Sequence, residues 1–325
     1  MISFKEFLLL EGGIGGHMNH PFDIASDGKD LVERFIEAIA YIKKNQSTLK
    51  IDGINISVRM VNGEFVVDRG STKQLDITGT PISQLSDRFG EGHGIIEPAK
   101  KTLTIFNKSI PTAKQELSSL GLLKNENLLL NVEYVSGKTN VIKYNGIENF
   151  LVIHGIKEIN PSQYAKKRTT TNVSYNNKTL NDYISKVNRM AEKYNFVVLG
   201  PINIKLVKQP NLIKILNEKL TLNNKTKTLS NWLNDVVINL PLITKKEYVE
   251  LSNSDKTDLN DKQLNDYIVY YATIKLGQEI LDNVESAFGD MQNEEGIVVK
   301  RSNGELYKIT GNFILTGMNS PFKRK

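Results

Sequence analysis

The chain contains no cysteine, which excludes disulfides, thiolate zinc sites, iron–sulfur clusters and cysteine nucleophiles. Long apolar runs are missing as well: no stretch approaches the roughly 20 apolar residues that a membrane-spanning helix needs. The N-terminal MISFKEFLLLEGG holds only one short apolar run, Phe7 to Leu10, less than the core of a secretory signal. No P-loop is present, nor a GxGxxG opening a helix after a strand, so neither of those nucleotide folds is indicated. No internal repeat or low-complexity tract stands out. These absences lead to the expectation of a cytoplasmic protein without a membrane partner.

What is present suits a globular protein of one large or two ordinary domains. There are 325 residues, 39% hydrophobic and 24% charged. The formal net charge of +6 suggests a polyanionic partner, with nucleic acid foremost. A solubilising lysine surface accounts for the same excess.

Along the chain, residues 1–30 form a Gly-rich leader. A helix is predicted from Leu31, capped by Asp27 or Asp30, with Val32, Phe35, Ile36 and Ile39 at helical spacing. The hairpin Leu49–Arg69 follows. A strand is expected at Thr102–Phe106, a helix at Pro111–Leu120, and strands at Leu128–Val135, Asn140–Tyr144 and Phe150–Ile156. Helices are then expected at Leu180–Tyr194, Leu212–Leu220, Leu229–Ile238, Lys245–Ser252 and Lys262–Phe288. Residues 222–231 read as a loop. Two strands, 296–301 and 305–309, close the pattern. The implied organisation is an α+β body of antiparallel sheet from residues 1–160 and 290–325, interrupted by a helical insertion at 161–289.

Two hairpins carry the informative side chains. Asn62-Gly63 favours a two-residue turn in which both central residues take positive φ. Met60 then faces Phe65, Val58 faces Val67, and Ile56 faces Arg69, which puts Arg69 on the apolar face. A guanidinium there requires an anionic or polar partner, either a structural carboxylate or a ligand phosphate or ribose. The same arithmetic on Asn303-Gly304 pairs Val299 with Lys308. Glu295 and Lys308 then share a face, roughly 13 Å apart along it. Glu133 interrupts an apolar strand, and a carboxylate so placed needs a ribose hydroxyl, a metal ion or an internal cation. Lys50, two residues before the Asp52-Gly53 bend, stands at a strand end, where a lysine can be aimed as a nucleophile.

In order, Lys50-Ile51-Asp52-Gly53, Asp68-Arg69-Gly70, Asn131-Val132-Glu133, Leu151 to Ile156, Glu295 to Lys300 and Tyr307-Lys308 resemble the ordered motifs of the covalent nucleotidyltransferases. That superfamily comprises ATP-dependent DNA and RNA ligases and mRNA capping enzymes. The resemblance covers residues 30–156 and 290–310 and leaves the helical insertion unassigned. It implies the ligase-type antiparallel adenylation fold and an ATP-dependent enzyme. Lys50 attacks the α-phosphate to form a lysyl-AMP intermediate, and Asp52 and Gly53 belong to the nucleotide-binding motif. Arg69 holds ribose or phosphate, Glu133 the ribose, and Lys300 and Lys308 contact phosphates. Glu295, with Glu133, holds Mg²⁺. Such chemistry needs help, since only about one free lysine in 10³ to 10⁴ is neutral at pH 7. A divalent cation and adjacent lysines lower that barrier. Magnesium is the default ion for phosphate chemistry.

The pattern departs in four places. Asn55 stands where Arg or Ser is frequent, His154-Gly155 where ligases carry an aspartate, and Thr310 where a second lysine is common. Only 17 residues follow Lys308, too few for an OB domain. RNA-ligase-like adenylyltransferases are therefore the nearer relatives, and the expected reaction is the joining of nucleic-acid ends, RNA before DNA. GTP-type capping, transfer to another acceptor and a non-catalytic nucleic-acid-binding protein remain alternatives.

The leader segment EGGIGGHMNHPFD resembles those of tailed-phage nucleotidyltransferase-like proteins, which implies a phage origin and a host cytoplasm. Its His17, His20 and Asp23 have a spacing compatible with one metal face, although a flexible leader is the plainer reading. Lys166, Lys167, Arg168, Lys205, Lys208, Lys214, Lys219, Lys225 and Lys227 suit either a nucleic-acid backbone or a solvated surface.

Overall fold

The computed structural model describes residues 18–68, 79–137, 144, 146–160, 169–290, 295–301, 303 and 305–311. Arg69 and the Asn140–Lys143 part of the strand expected at 140–144 lie outside them.

The described chain passes through a single helical turn at Pro21–Ile24, helix α1 (Gly28–Lys43) and strand β1 (Ser47–Lys50). Strands β2 (Ile54–Val61) and β3 (Glu64–Asp68) follow. Helix α2 (Ile96–Ser119) leads to β4 (Leu128–Ser136), β5 (Asn149–Asn160) and β6 (Thr169–Asn172). Next come α3 (Asn177–Ala191) and β7 (Val197–Leu199). Beyond Pro201, α4 (Lys245–Asn253) and α5 (Asp261–Leu281) precede strands β8 (Gly296–Lys300) and β9 (Leu306–Thr310). The protein is thus α+β, with sheets that are antiparallel except where β7 runs parallel to β5.

Two compact units divide these elements. The first, built on Asp52–Pro201, holds a six-stranded sheet in the order β3-β2-β4-β5-β6, with β7 also on β5. Strand alternation sends Ile56, Val58, Met60, Leu130, Val132, Leu151 and Ile153 to one face, where they form a core with α2 and α3. Helix α2 buries Leu103, Ile105, Phe106, Ala113 and Leu117 there. The strand expected at Thr102–Phe106 and the helix expected from Pro111 are therefore one helix. Its burial outweighs the roughly 3 kcal/mol cost of an interior proline. Asn107 on that helix accepts from the Phe65 N–H at 2.6 Å and donates to the Phe65 carbonyl at 3.2 Å, satisfying part of edge strand β3.

The second unit joins Met18–Ile51 to Ile202–Lys325. Its three-stranded sheet runs β1-β8-β9. Leu49, Ile297, Val299, Tyr307 and Ile309 line one buried face. The Tyr307 hydroxyl donates to the Arg34 carbonyl of α1 at 2.8 Å. Helix α5 approaches so closely at Gly277 that an added Cβ would lie 3.2 Å from Ile309 Cγ2. Lys50 and the β8–β9 hairpin thereby group with residues 202–290, whereas the sequence pattern had grouped them with β2–β5.

Several boundaries in this unit differ from expectation. The helix expected over Leu212–Leu220 ends at Leu216, and Lys219–Leu222 pairs with Lys225–Thr228 as a hairpin where a loop was read. Asn223 and Asn224 at its tip both have positive φ, 47° and 59°, as a two-residue hairpin turn requires. The helix expected to reach Ile238 spans Leu229–Leu233, and α5 stops at Leu281 before a short strand at Val284–Ser286.

Candidate functional site

Each unit sets a carboxylate beside a nitrogen base at its sheet. In the second unit, β1 and β8 pair Lys50 with Gly296 and Thr48 with Val298, while β8 and β9 pair Val298 with Lys308 and Lys300 with Leu306. Lys50, Lys300 and Lys308 consequently share one face of the sheet, opposite the buried Leu49, Ile297 and Tyr307. This register is one residue away from the expected Val299–Lys308 pairing. The Arg301 N–H donates to the Glu305 carbonyl at 2.8 Å, so the connection has three residues between that pair in place of the two assumed. A one-residue slip exchanges the faces. Lys308 therefore joins Lys50, whereas the sequence arithmetic had put it beside Ile297 and Val299.

Glu295 reaches that lysine by another route. Its Oε1 lies 2.5 Å from Lys50 Nζ. Both side chains are largely buried, with exposures of 12% and 20%. Strict alternation would turn Glu295 to the apolar face, but Gly296 has φ +146°. A Cβ there would stand 2.1 Å from the Ile309 carbonyl oxygen, so only glycine permits this backbone path.

The N-terminal side of the unit runs past the same sheet. Asn19 makes a parallel bridge with Tyr307, and its carbonyl accepts from the Lys308 N–H at 2.8 Å. The adjacent His20 is 8% exposed and stacks on Phe22 with ring centroids 5.2 Å apart. Burial first, and then the positive charges of Lys308, Lys245 and Lys50, push its pKa down to about 3. Asp23, which was placed with His17 and His20 on a possible metal face, accepts from the His20 backbone N–H at 2.7 Å. His17 lies outside the described residues.

In the first unit, the sheet face opposite the main core carries a group of polar residues among buried Leu129, Val135 and Val152. Glu133 pairs in register with Asn55, and Asn131 with Ser57. Asn55 Nδ2 donates to Asn131 Oδ1 at 2.7 Å. Glu133 Oε2 lies 2.8 Å from His154 Nε2. Between β4 and β5 the register jumps from Asn131–Gly155 to Val132–Ile153, leaving His154 as the extra residue of a bulge, a device that re-aims a side chain. Gly155 carries φ +140° beside it. Gly53 packs against this pair: a Cβ there would fall 2.7 Å from Glu133 Cγ and 2.8 Å from the Tyr134 carbonyl oxygen. The Asp52 N–H donates to the Tyr144 hydroxyl at 2.7 Å. On the same face the buried Arg59 is ion-paired with Asp68 and donates to the Glu126 carbonyl at 3.0 Å. Burial lowers the pKa of Lys157.

The sequence reading named Lys50, Glu295, Lys300 and Lys308; one sheet holds the three lysines, and Glu295 stands immediately before β8. It named Asp52, Gly53 and Glu133, which lie in the first unit. It missed His154 as the partner of Glu133 and Arg59 as the partner of Asp68. Arg59 had a signal, since Val66 opposite it and Asp68 two residues on share its face. It also missed Lys245, whose Thr244 and Glu247 form a capping box around the start of α4. Among the described residues no group of three or more His, Asp or Glu side chains converges on a metal position, and no helix is long and apolar enough to cross a membrane. No family model matches the chain, and no curated protein matches it.

Proposed function

We propose that the protein is an ATP-dependent nucleotidyltransferase of the ligase type, with Lys50 as its nucleophile. The observation that carries this reading is the Lys50–Glu295 pair at 2.5 Å on a sheet face shared with Lys308. In the reaction, the Lys50 ammonium gives up one proton, for which the Glu295 carboxylate is the adjacent acceptor. The nitrogen lone pair then forms a bond to the α-phosphorus as the bond from that phosphorus to the β-bridging oxygen breaks. Pyrophosphate leaves with the electron pair. A second proton departs the nitrogen, and lysyl-AMP remains. Lys300 and Lys308 offset charge on the phosphates as it shifts toward the leaving group.

Mg²⁺ fits this donor set. Such an ion is commonly held by one or two carboxylates, with phosphate and water oxygens supplying the rest, and Glu295 is the carboxylate beside Lys50 that would hold it. When bound, Mg²⁺ supplies positive charge at the phosphates. The acceptor is a nucleic-acid end, which the net charge of +6 suits, and RNA comes ahead of DNA on the resemblance alone.

Incubation with Mg²⁺ and each α-³²P-labelled NTP tests the reading. ATP is expected to leave acid-labile label on the protein, and Lys50→Ala to reduce it on the order of 10³-fold or more. Absence of label from every NTP, or its persistence in the variant, would sink the mechanism. Label from GTP alone would indicate capping. Label that moves to neither 5′-phosphorylated RNA nor DNA would indicate another acceptor.

A further inference from the structure

Two lysines of the first unit converge on one aromatic ring and meet no acid there. Lys101 and Lys108 stand two turns apart on α2, with Nζ 5.1 and 5.4 Å from the centroid of the Tyr194 ring. The core fixes both sides of this contact. Helix α2 buries Thr102, Leu103, Ile105 and Phe106 in the stretch between the two lysines. Helix α3 buries Ala191, and the turn Glu192–Tyr194 that follows sets the half-buried Tyr194 ring against the same core. A ring face attracts one ammonium and covers its stem, but a second ammonium at the same ring adds like-charge repulsion. Two other lysines on rings are neutralised, Lys227 over Trp232 by Asp235 and Lys275 over Tyr271 by Glu218. Lys186 of α3 takes Glu116 of α2. Among the described residues no carboxylate lies within ion-pair distance of Lys101 or Lys108. The acids closest to them in the chain are Glu97, one turn before Lys101, and Glu192, which accepts from the Asn188 amide at 2.9 Å. Lys100 and Lys193, both exposed, adjoin Lys101 and Tyr194 in sequence and extend the positive surface.

We propose that this surface docks the backbone of a single-stranded nucleic acid, with Lys101 and Lys108 each taking one of two neighbouring phosphates and Tyr194 between them. Phosphates placed there relieve the repulsion that the two ammonium groups otherwise bear. Contacts to the backbone position a strand without reading its sequence. Cations gathered at a partly exposed aromatic ring are the combination that holds single strands. The net charge of +6 favours the same class of partner. None of the three residues belongs to a nucleotidyltransferase-like motif of the chain. The surface does not depend on nucleotidyl transfer, and neither ATP nor metal is needed to probe it.

The test is fluorescence anisotropy of a dye-labelled oligouridylate titrated with the full chain at several salt concentrations, without ATP or metal. Wild type is expected to bind. The double variant Lys101→Gln/Lys108→Gln should weaken binding about tenfold or more and make the slope of log K against log salt shallower by about 1.4, as loss of two phosphate contacts to a single strand requires. Lys101→Arg/Lys108→Arg keeps the charge and should bind near the wild-type level. Lys205→Gln/Lys246→Gln removes as many lysines from positions already paired with Glu285 and Glu250, and should change affinity by less than about threefold. A wild type that does not bind the RNA overturns the site, as does equal weakening by the two glutamine pairs or an unchanged salt slope. Poly-L-glutamate bound as tightly as the RNA would overturn the assignment to nucleic acid. Should the first glutamine pair fail to fold, an arginine pair that folds but binds no RNA is equally contrary. RNA binding without any covalent label would count against nucleotidyl transfer and leave the surface standing. Label formation with RNA affinity unchanged in Lys101→Gln/Lys108→Gln would do the reverse.

Discussion

Glu295 and Glu133 each meet a nitrogen base at hydrogen-bond distance, 2.5 Å from Lys50 and 2.8 Å from His154, but their surroundings differ in kind. Around Glu133 the neighbours are amides and hydroxyls in sheet register, Asn55, Asn131 and Ser57, and the strong cation on that face, Arg59, is already matched by Asp68. Around Glu295 and Lys50 the shared face carries Lys300 and Lys308 along with Thr48, Val298 and Leu306. The first arrangement fixes oriented hydrogen-bonding groups with little net field. The second concentrates positive charge, which an incoming polyanion can use. A carboxylate in a strand therefore says little until the charges on its own face have been counted.

Both pairs depend on a glycine, and replacing these glycines should separate the two units. Gly296→Ala forces a Cβ to 2.1 Å from the Ile309 carbonyl at φ +146°, so a loss of about 3 kcal/mol is expected. Trp232, the single tryptophan, lies in the second unit and reports that loss by fluorescence in a urea titration. Gly53→Ala should cost about 2 kcal/mol, seen as faster amide exchange in β2 and β4. A Gly296→Ala protein with an unchanged Trp232 transition would refute the role given to that backbone.

The carboxylates themselves should differ in how far they move the labelling rate. Glu295→Gln removes the acceptor beside Lys50 and is expected to slow label formation about 10²-fold. Glu133→Gln weakens the hydrogen bond to His154 in the other unit and should change the labelling rate by less than about twofold. Single-turnover labelling at several ATP concentrations distinguishes them. Equal rate losses in both variants would erase the contrast between the two sites.

A further effect is a pH slope confined to the second unit. His20 takes up a proton near pH 3 when folded, against an ordinary value of 6.5. Between those limits the unfolded chain binds the extra proton, so stability is fully present above pH 6.5 and falls as pH drops toward 3. The slope reaches at most about 1.4 kcal/mol per pH unit. Urea titrations followed at Trp232 between pH 6.5 and 5, above the main carboxylate range, should show it, and His20→Gln should flatten it. A slope that survives in His20→Gln would assign the effect elsewhere.

Much of this was legible from residue order, and the failures have physical causes. Asn62-Gly63 places Met60 opposite Phe65 and Val58 opposite Val67, as found, because a two-residue turn leaves no freedom of register. Asn303-Gly304 misleads because Arg301 and Glu305 close the hairpin one residue earlier on its first strand, at the cost of a face assignment for Lys308. Glu295 escapes alternation through the φ of Gly296, which residue order does not reveal. His154 reads as a departure from a motif until the bulge turns it toward Glu133. Thr102 to Phe106 looks like a strand because Leu103 and Ile105 alternate, while the burial of Phe106, Ala113 and Leu117 on one helix face becomes visible only in the fold.

The central claim is that Lys50 becomes covalently joined to a nucleotide. Peptide mapping by mass spectrometry after incubation with ATP and Mg²⁺ tests it most directly. The account predicts one AMP residue on the peptide containing Lys50, absent in Lys50→Ala and removed by added pyrophosphate. An unmodified Lys50 peptide under those conditions, or AMP found on a different lysine, would contradict it.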